Sequence, residues 1–199
     1  DINNDGWPDV YVCNDYIEHD YLYINNQDGT FSEMLKESVK HISNFSMGSD
    51  IADFDNDGWL DIVTVDMVAE DNYRIKTNMS GMNPKRFKNA INNGFHYQYM
   101  MNTLQKNNGN ETFSEVSQLA NISSTDWSWA PLFADFDNDG LQDVFISNGY
   151  PKDVTDHDFS IFRSYASRLV STEELLSAVP EVKSPNFLFK IILIFYRIK

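Results

Sequence analysis

Cysteine is almost absent: Cys13 is the single one among 199 residues. Neither an intramolecular disulfide nor a cysteine-based zinc site can form. Basic residues are scarce as well, with 15 Lys and Arg against 30 Asp and Glu and a formal net charge of −15. A protein that neutralises a nucleic-acid backbone needs a basic face, so nucleic acid is excluded as the expected partner. No apolar run approaches the ~20 residues of a membrane helix. The four histidines, His19, His41, His96 and His157, include no pair at helical metal-binding spacing, and no Gly-x-Ser-x-Gly elbow or phosphate-binding glycine loop occurs. With no catalytic motif, the chain is read as non-enzymatic. It opens on Asp1 without methionine or leader, and is expected to be a fragment of a longer protein.

What the sequence does hold is 42% hydrophobic and 14% aromatic residues, enough for a packed core, so the acidity is not that of a disordered tail. It also repeats itself. Asp1-Ile-Asn3-Asn-Asp5-Gly6-Trp7-Pro-Asp9 recurs as Asp53-Phe-Asp55-Asn-Asp57-Gly58-Trp59-Leu-Asp61 and as Asp135-Phe-Asp137-Asn-Asp139-Gly140-Leu141-Gln-Asp143. A second block, Leu22-Tyr-Ile-Asn25-Asn26 through Thr30-Phe31-Ser32-Glu33, recurs as Leu104-Gln-Lys-Asn107-Asn108 through Thr112-Phe113-Ser114-Glu115. Phe31 and Phe113 stand 82 residues apart, as do Asp53 and Asp135. Two independent features in one register mark a true repeat, with units at about 1–45, 46–127 and 128–190.

The segments after each Asp loop, Val10–Val12, Ile62–Val65 and Val144–Ile146, read as buried strands. Phe45–Ala52 and Trp127–Ala134 read as strands leading into a loop, with Trp127 and Trp129 on one face, read first as core and in the alternative as a sugar-stacking platform. Asn26-Gln-Asp28-Gly29 is a turn between two more. About four short strands per unit is the content of a propeller blade. The fold expected is therefore mainly β: a partial β-propeller of about three four-stranded blades, with helical insertions at about 67–97 and 150–183. Asn83-Pro84 opens a predicted helix in the first insertion, and Ser171 or Thr172 caps one in the second. Such insertions form a cap on one face, where ligand contacts are expected. Residues 191–199 break the pattern. One adenine restored after Lys190 would return Asn-Asn and a following Phe, so this tail is read as frameshifted or truncated.

Asp-x-Asp-x-Asp-Gly-x-x-Asp sets oxygen side chains at alternate positions of a tight loop, as Ca²⁺ with its six to eight hard oxygen ligands requires. Candidate ligands are Asp1, Asn3, Asp5, Trp7 and Asp9; Asp53, Asp55, Asp57, Trp59 and Asp61; and Asp135, Asp137, Asp139, Leu141 and Asp143. Position seven offers its backbone carbonyl, and the Asp at nine closes the shell with two oxygens; Asn3, a neutral ligand, is expected to lower the charge and affinity of the first loop. An EF-hand would place Glu at position twelve, whereas Val12, Thr64 and Ile146 stand there in predicted strands. Plain Asp/Asn turns would account for one such loop; three in register point to about three structural Ca²⁺ ions, without which the clustered carboxylates would repel.

These loops resemble the FG-GAP/VCBS family of calcium-binding β-propeller repeats. Asn14-Asp15-Tyr16, Phe45-Ser-Met47-Gly48, Thr125-Asp126-Trp127-Ser-Trp129 and Asn148-Gly149-Tyr150 are most similar to its ASPIC/UnbV, cartilage acidic protein-like subgroup. The resemblance implies a secreted, cell-surface or periplasmic scaffold that binds protein or glycan in adhesion, its other partners being the remaining blades of the whole protein. Propeller-based polysaccharide lyases or glycosidases are the alternative, drawing on Arg74, His96 or His157. His157, among Asp153, Asp156 and Asp158, and His19, beside Glu18, read first as parts of solvated loops. The stretch from Asp66 to Arg74, which opens the first insertion, is read equally as the lining of a pocket or as pairing internally, Asp71 with Arg74.

Overall fold

The computed structural model describes residues 1–78, 83–150 and 152–191. Every residue of the strand that follows the second Asp loop is buried. A strand's side chains alternate between its two faces, so a strand buried throughout must be covered on both. The architecture shows by what.

Along the chain, β1 (Val10–Val12), β2 (Tyr21–Asn25) and β3 (Phe31–Glu33) are followed by α1 (Leu35–Ser38) and β4 (Ile42–Ser43). Then come β5 (Gly48–Ala52) and β6 (Asp61–Val65), the fully buried strand. A long excursion through β7 (Met67–Val68), α2 (Asn72–Thr77), α3 (Pro84–Asn92) and β8 (Gln98–Tyr99) leads to β9 (Thr103–Asn107) and β10 (Phe113–Glu115). The last part holds β11 (Asp126–Ala134), β12 (Asp143–Asn148), α4 (His157–Ala166), α5 (Thr172–Ser177) and β13 (Phe187–Phe189). The chain is mainly β. Antiparallel pairing gives sheets of order β1-β2-β3, β10-β9-β6-β5 and β13-β12-β11-β7, and β4 pairs with β8 in parallel. Among the described residues no sheet closes on itself.

The three sheets stack in sequence order. One core cluster joins Leu22 of the first sheet to Ile62 and Phe113 of the second, with Ile2, Leu35, Val39 and Ile42 between them. The next joins Val63, Val65 and Leu104 of the second sheet to Phe133, Val144 and Ile146 of the third. Ile62 thus faces one neighbour, and Val63 and Val65 the other, as the two-residue period of a strand requires.

Each sheet carries the same internal pin. Asp20, Asn102 and Asn186 accept, through their side-chain oxygen, the backbone N–H of Asn14, Asp66 and Asn148 at 2.8–2.9 Å. The repeat is therefore written in hydrogen bonds as well as in sequence. β7 departs from it: it leaves the second sheet to extend the edge of the third, pairing Met67 with Trp127 and Val68 with Asp126.

Local signals explain the helices. Asn83 caps α3, accepting from the amides of Lys85 and Arg86 with Pro84 in the first turn, and Ser171 and Glu174 form a capping box on α5. Trp129 does not join the core: a register shift in β11 between Ser128 and Ala130 accompanies its placement 42% exposed, with Nε1 donating to Gly149 O at 2.7 Å. Of the segment expected to be a frameshifted tail, residues 192–199 lie outside the described residues. No helix among the described residues is long and apolar enough to cross a membrane.

Candidate metal centres

Each Asp loop connects two strands of a hairpin or leads into one, and its backbone conformation is the same in all three copies. Asn4, Asn56 and Asn138 take φ of 56°, 57° and 58°, and Gly6, Gly58 and Gly140 take 88°, 91° and 88°. Asn tolerates the left-handed region, and Gly enters it without steric cost, so these two positions fix the turn.

Side chains then hold the loop from within. Asp53 accepts the amides of Asp57 (3.0 Å) and Gly58 (2.9 Å), and Asp135 those of Asp139 (3.0 Å) and Gly140 (2.9 Å). Asp1 accepts that of Gly6 at 3.0 Å. The Asp at position five accepts the amide of position seven: Trp7 to Asp5, Trp59 to Asp57 and Leu141 to Asp139, at 2.9–3.0 Å. The ninth-position Asp ties the loop to the end of the neighbouring strand, β2 or β9, or to the residues just past β13. Asp9 accepts from Ile2 (2.7 Å) and Asn25 (2.8 Å), and Asp61 from Phe54 (3.1 Å) and Asn107 (2.8 Å). Asp143 accepts from Ile191 at 3.0 Å. Both oxygens of Asp9 and of Asp61 thus already serve backbone amides, a scaffold role beyond the shell-closing one expected of them.

Two of the loops gather their carboxylates. Asp53, Asp55 and Asp61 bring oxygens within 4.8 Å of one another, as do Asp135, Asp137 and Asp139, and each group could hold a metal ion. Asp57 stands outside the first group and Asp143 outside the second. The first loop, with Asn3 at its third position, brings no such group together among the described residues. Asn3 turns inward instead, donating to Asp5 at 3.1 Å.

The donor set fits a hard divalent cation on two observations. Asp1 Oδ1 and Asp55 Oδ1 are buried carboxylate oxygens with no hydrogen-bond partner, an arrangement that costs free energy unless a cation completes it. Second, positive charge is already drawn to the gathered carboxylates. Lys106 from β9 bonds Asp55 and reaches Asp57 at 2.7 Å, and Lys190, just past β13, bonds Asp137 and lies 3.0 Å from Asp139. Burial pushes the Asp57 carboxyl up, but Lys106 and the Trp59 amide outweigh it and hold it below the usual range. Lys190, then the Leu141 amide, hold Asp139 low. Burial raises Asp61 to about 7 against the pull of the Asn107 and Phe54 amides, and Asp55 adds repulsion.

Neither lysine was singled out from sequence, although a signal existed: both stand two residues after the repeated leucines Leu104 and Leu188, where the first unit has Ile24. In that loop Gln27 Nε2 takes the lysine's place, 3.1 Å from Asp5. The expectation that only calcium could offset these carboxylates therefore needs amending for the second and third loops.

A separate cavity of about 590 Å³ lies beside α2, lined by Met67, Arg74, Tyr99, Met101, Asp126 and Trp127 among others. Asp71 does not pair with the Arg74 side chain: it caps α2 by accepting the Arg74 amide at 2.9 Å. The guanidinium instead spans Asp126 and Asp153, the latter at 3.3 Å. His96 is buried on Val39 O at 3.1 Å and lines a different cleft, while His157 begins α4 on the exposed surface.

Comparison with known protein families matches the FG-GAP-like repeat to residues 1–64 and 92–146, more than half of the chain. No curated protein matches it.

Proposed function

The chain belongs to the FG-GAP-like repeat family, and from that premise we propose that it forms part of a calcium-stabilised, non-enzymatic β-propeller scaffold whose blades are the three stacked sheets. The observation that carries this reading is the pair of carboxylate groups at equivalent places in adjacent sheets, each drawing a cation. Calcium is the ion of choice because the donors are all hard oxygens and the loops turn on themselves without histidine or thiol. Extracellular calcium near millimolar would keep weak loops filled, which suits a secreted or cell-surface protein of the ASPIC/UnbV type. Its role is then to present a binding face to protein or glycan, built on the excursion between β6 and β9 and on α4 and α5.

Thermal melts with millimolar Ca²⁺ against EGTA, with stoichiometry by calorimetry, test this. A calcium-dependent rise in Tm with two or three sites supports it. Absence of both a shift and a binding heat would reduce the loops to plain Asp turns and remove the physical basis for the scaffold reading.

A further inference from the structure

A cleft of about 280 Å³ lies where α3 approaches the turn between β1 and β2, lined by Tyr16, Asn44, Phe45, Arg86, Asn89 and Gln98 among others. No carboxylate lines it among the described residues, in a chain with a formal net charge of −15. Its charged side chain is Arg86, which makes no ion pair among the described residues and sits with its guanidinium 4.5 Å from the centre of the Tyr16 ring.

Tyr16 is the unusual element. Its φ is +83°, a region that a bulky L residue rarely adopts, and its side chain is 51% exposed. A ring placed for burial would not need that backbone, nor stay half in solvent. The conformation instead holds the ring at the mouth of the cleft, stacked on Phe45 with centroids 6.0 Å apart. Backbone outliers of this kind gather where ligands are clamped.

The polar lining is carboxamide. The side chains of Asn44 and Asn89 make no hydrogen bond within the described protein, and Gln98 spends one N–H on Glu18 O at 3.1 Å, leaving its oxygen. A carboxamide both donates and accepts, and carries no charge. Sugar hydroxyls do the same, and a sugar ring offers an apolar C–H face to an aromatic ring.

We propose that this cleft binds a saccharide unit, its ring displacing the Arg86 guanidinium from the face of Tyr16 that it now covers, its hydroxyls on Asn44, Asn89 and Gln98, and a preference for an acidic sugar conferred by Arg86 as it swings off the ring. The preference follows from the planar guanidinium, which pairs with a carboxylate through charge-assisted hydrogen bonds. The proposal rests on the glycan branch of the scaffold reading and gives it a location and a ligand class.

The test titrates the full chain, in millimolar Ca²⁺, with glucose, glucuronic acid and short oligomers of each, by saturation-transfer NMR and calorimetry. The acidic probes are expected to bind roughly tenfold more tightly than the neutral ones, a difference that R86Q erases. Y16G removes the ring while allowing the left-handed backbone. It is expected to cut binding at least tenfold while Tm holds or rises. N89A, on the exposed face of α3, is expected to weaken binding without moving Tm. The proposal is overturned if none of the probes binds, or if Y16G and N89A bind as the parent does. It is overturned too if Y16G lowers Tm while N89A keeps full affinity, since the ring would then be structural. The calcium-dependent melt reads the scaffold independently: a normal calcium response without saccharide binding sinks the cleft alone.

Discussion

Asn56 donates through Nδ2 to the carbonyl oxygen of Gly140, 2.9 Å away, and so ties the second Asp loop to the third. Asn4 makes the same bond to Gly58, also at 2.9 Å, from the first loop to the second. The position-four residue thus has two tasks: it tolerates the left-handed turn, and it reaches the next loop. Asn56→Gly separates them, since glycine keeps the turn and loses the donor. A net loss of about 1 kcal/mol is expected for one hydrogen bond, or a fall in Tm of ~2–4 °C in a chain of this size. An N56G protein that melts with the parent would show the tie to contribute nothing.

Lys106→Met should act in opposite directions with and without calcium. In the metal-free protein it strips Asp55 and Asp57 of their shared cation, and Tm should fall. The loss is on the order of 1 kcal/mol, because Lys106 and Asp57 are about a third exposed and solvent screens the pair. With calcium present, the ammonium no longer competes for the same oxygens, and the affinity of the second loop should rise several-fold in a calorimetric titration. A variant that binds calcium no better than the parent would place the lysine alongside the metal rather than in its stead.

Gly48 opens β5 against β11, and a Cβ built there would lie 2.6 Å from the Trp129 carbonyl oxygen. The obstacle is backbone, which cannot swing aside as a side-chain end would. Gly48→Ala must therefore push the second and third sheets apart, where Asp50 now accepts the Phe133 amide at 2.7 Å. Overpacking of this kind costs ~1–3 kcal/mol, to be read in a denaturant melt with an unchanged slope.

The strands and the Asp loops were legible in the sequence because each rests on local signals: two-residue alternation, and Asp, Asn and Gly at set places in a turn. Val10–Val12 and the stretches after the other two loops form β1, β6 and β12 as those signals require. What the sequence hid depends on distant partners. Nothing near Met67 shows that it will leave the second sheet for Trp127, and nothing near Arg74 names Asp126 and Asp153 over the adjacent Asp71. α4 was masked by its acidic start, where Asp156 proves to be the cap, accepting the Phe159 amide at 2.7 Å. The difference between the first loop and the others was visible as Asn3, a neutral ligand expected to lower charge and affinity, but the change in the loop's own hydrogen bonding was not. A single carboxylate replaced by an amide lets the loop close on itself, and the carboxylates no longer converge.

Asp66 gives the protein a pH signature away from the metal loops. It is fully buried and accepts from Ser43 Oγ at 2.7 Å and from the amides of Asn44, Phe45 and Met67. Burial nevertheless raises its carboxyl to about 6, the hydrogen bonds pulling the other way. In the unfolded chain it returns to the ordinary range near ~4. Between those values the folded state binds more protons than the unfolded one, so stability falls as pH rises through that window and is level above it. On the order of 3 kcal/mol separates the two ends. His96, whose imidazole burial holds low, works in the opposite sense near neutrality. Asp66→Asn leaves His96 in place, so the histidine cancels when the two proteins are compared. Melted in EGTA from pH 4 to 7, the parent should lose stability relative to D66N up to pH about 6 and run parallel beyond it. Parallel curves throughout would mean that Asp66 ionises in the fold as it does in the open chain, and that its four donors offset the burial completely.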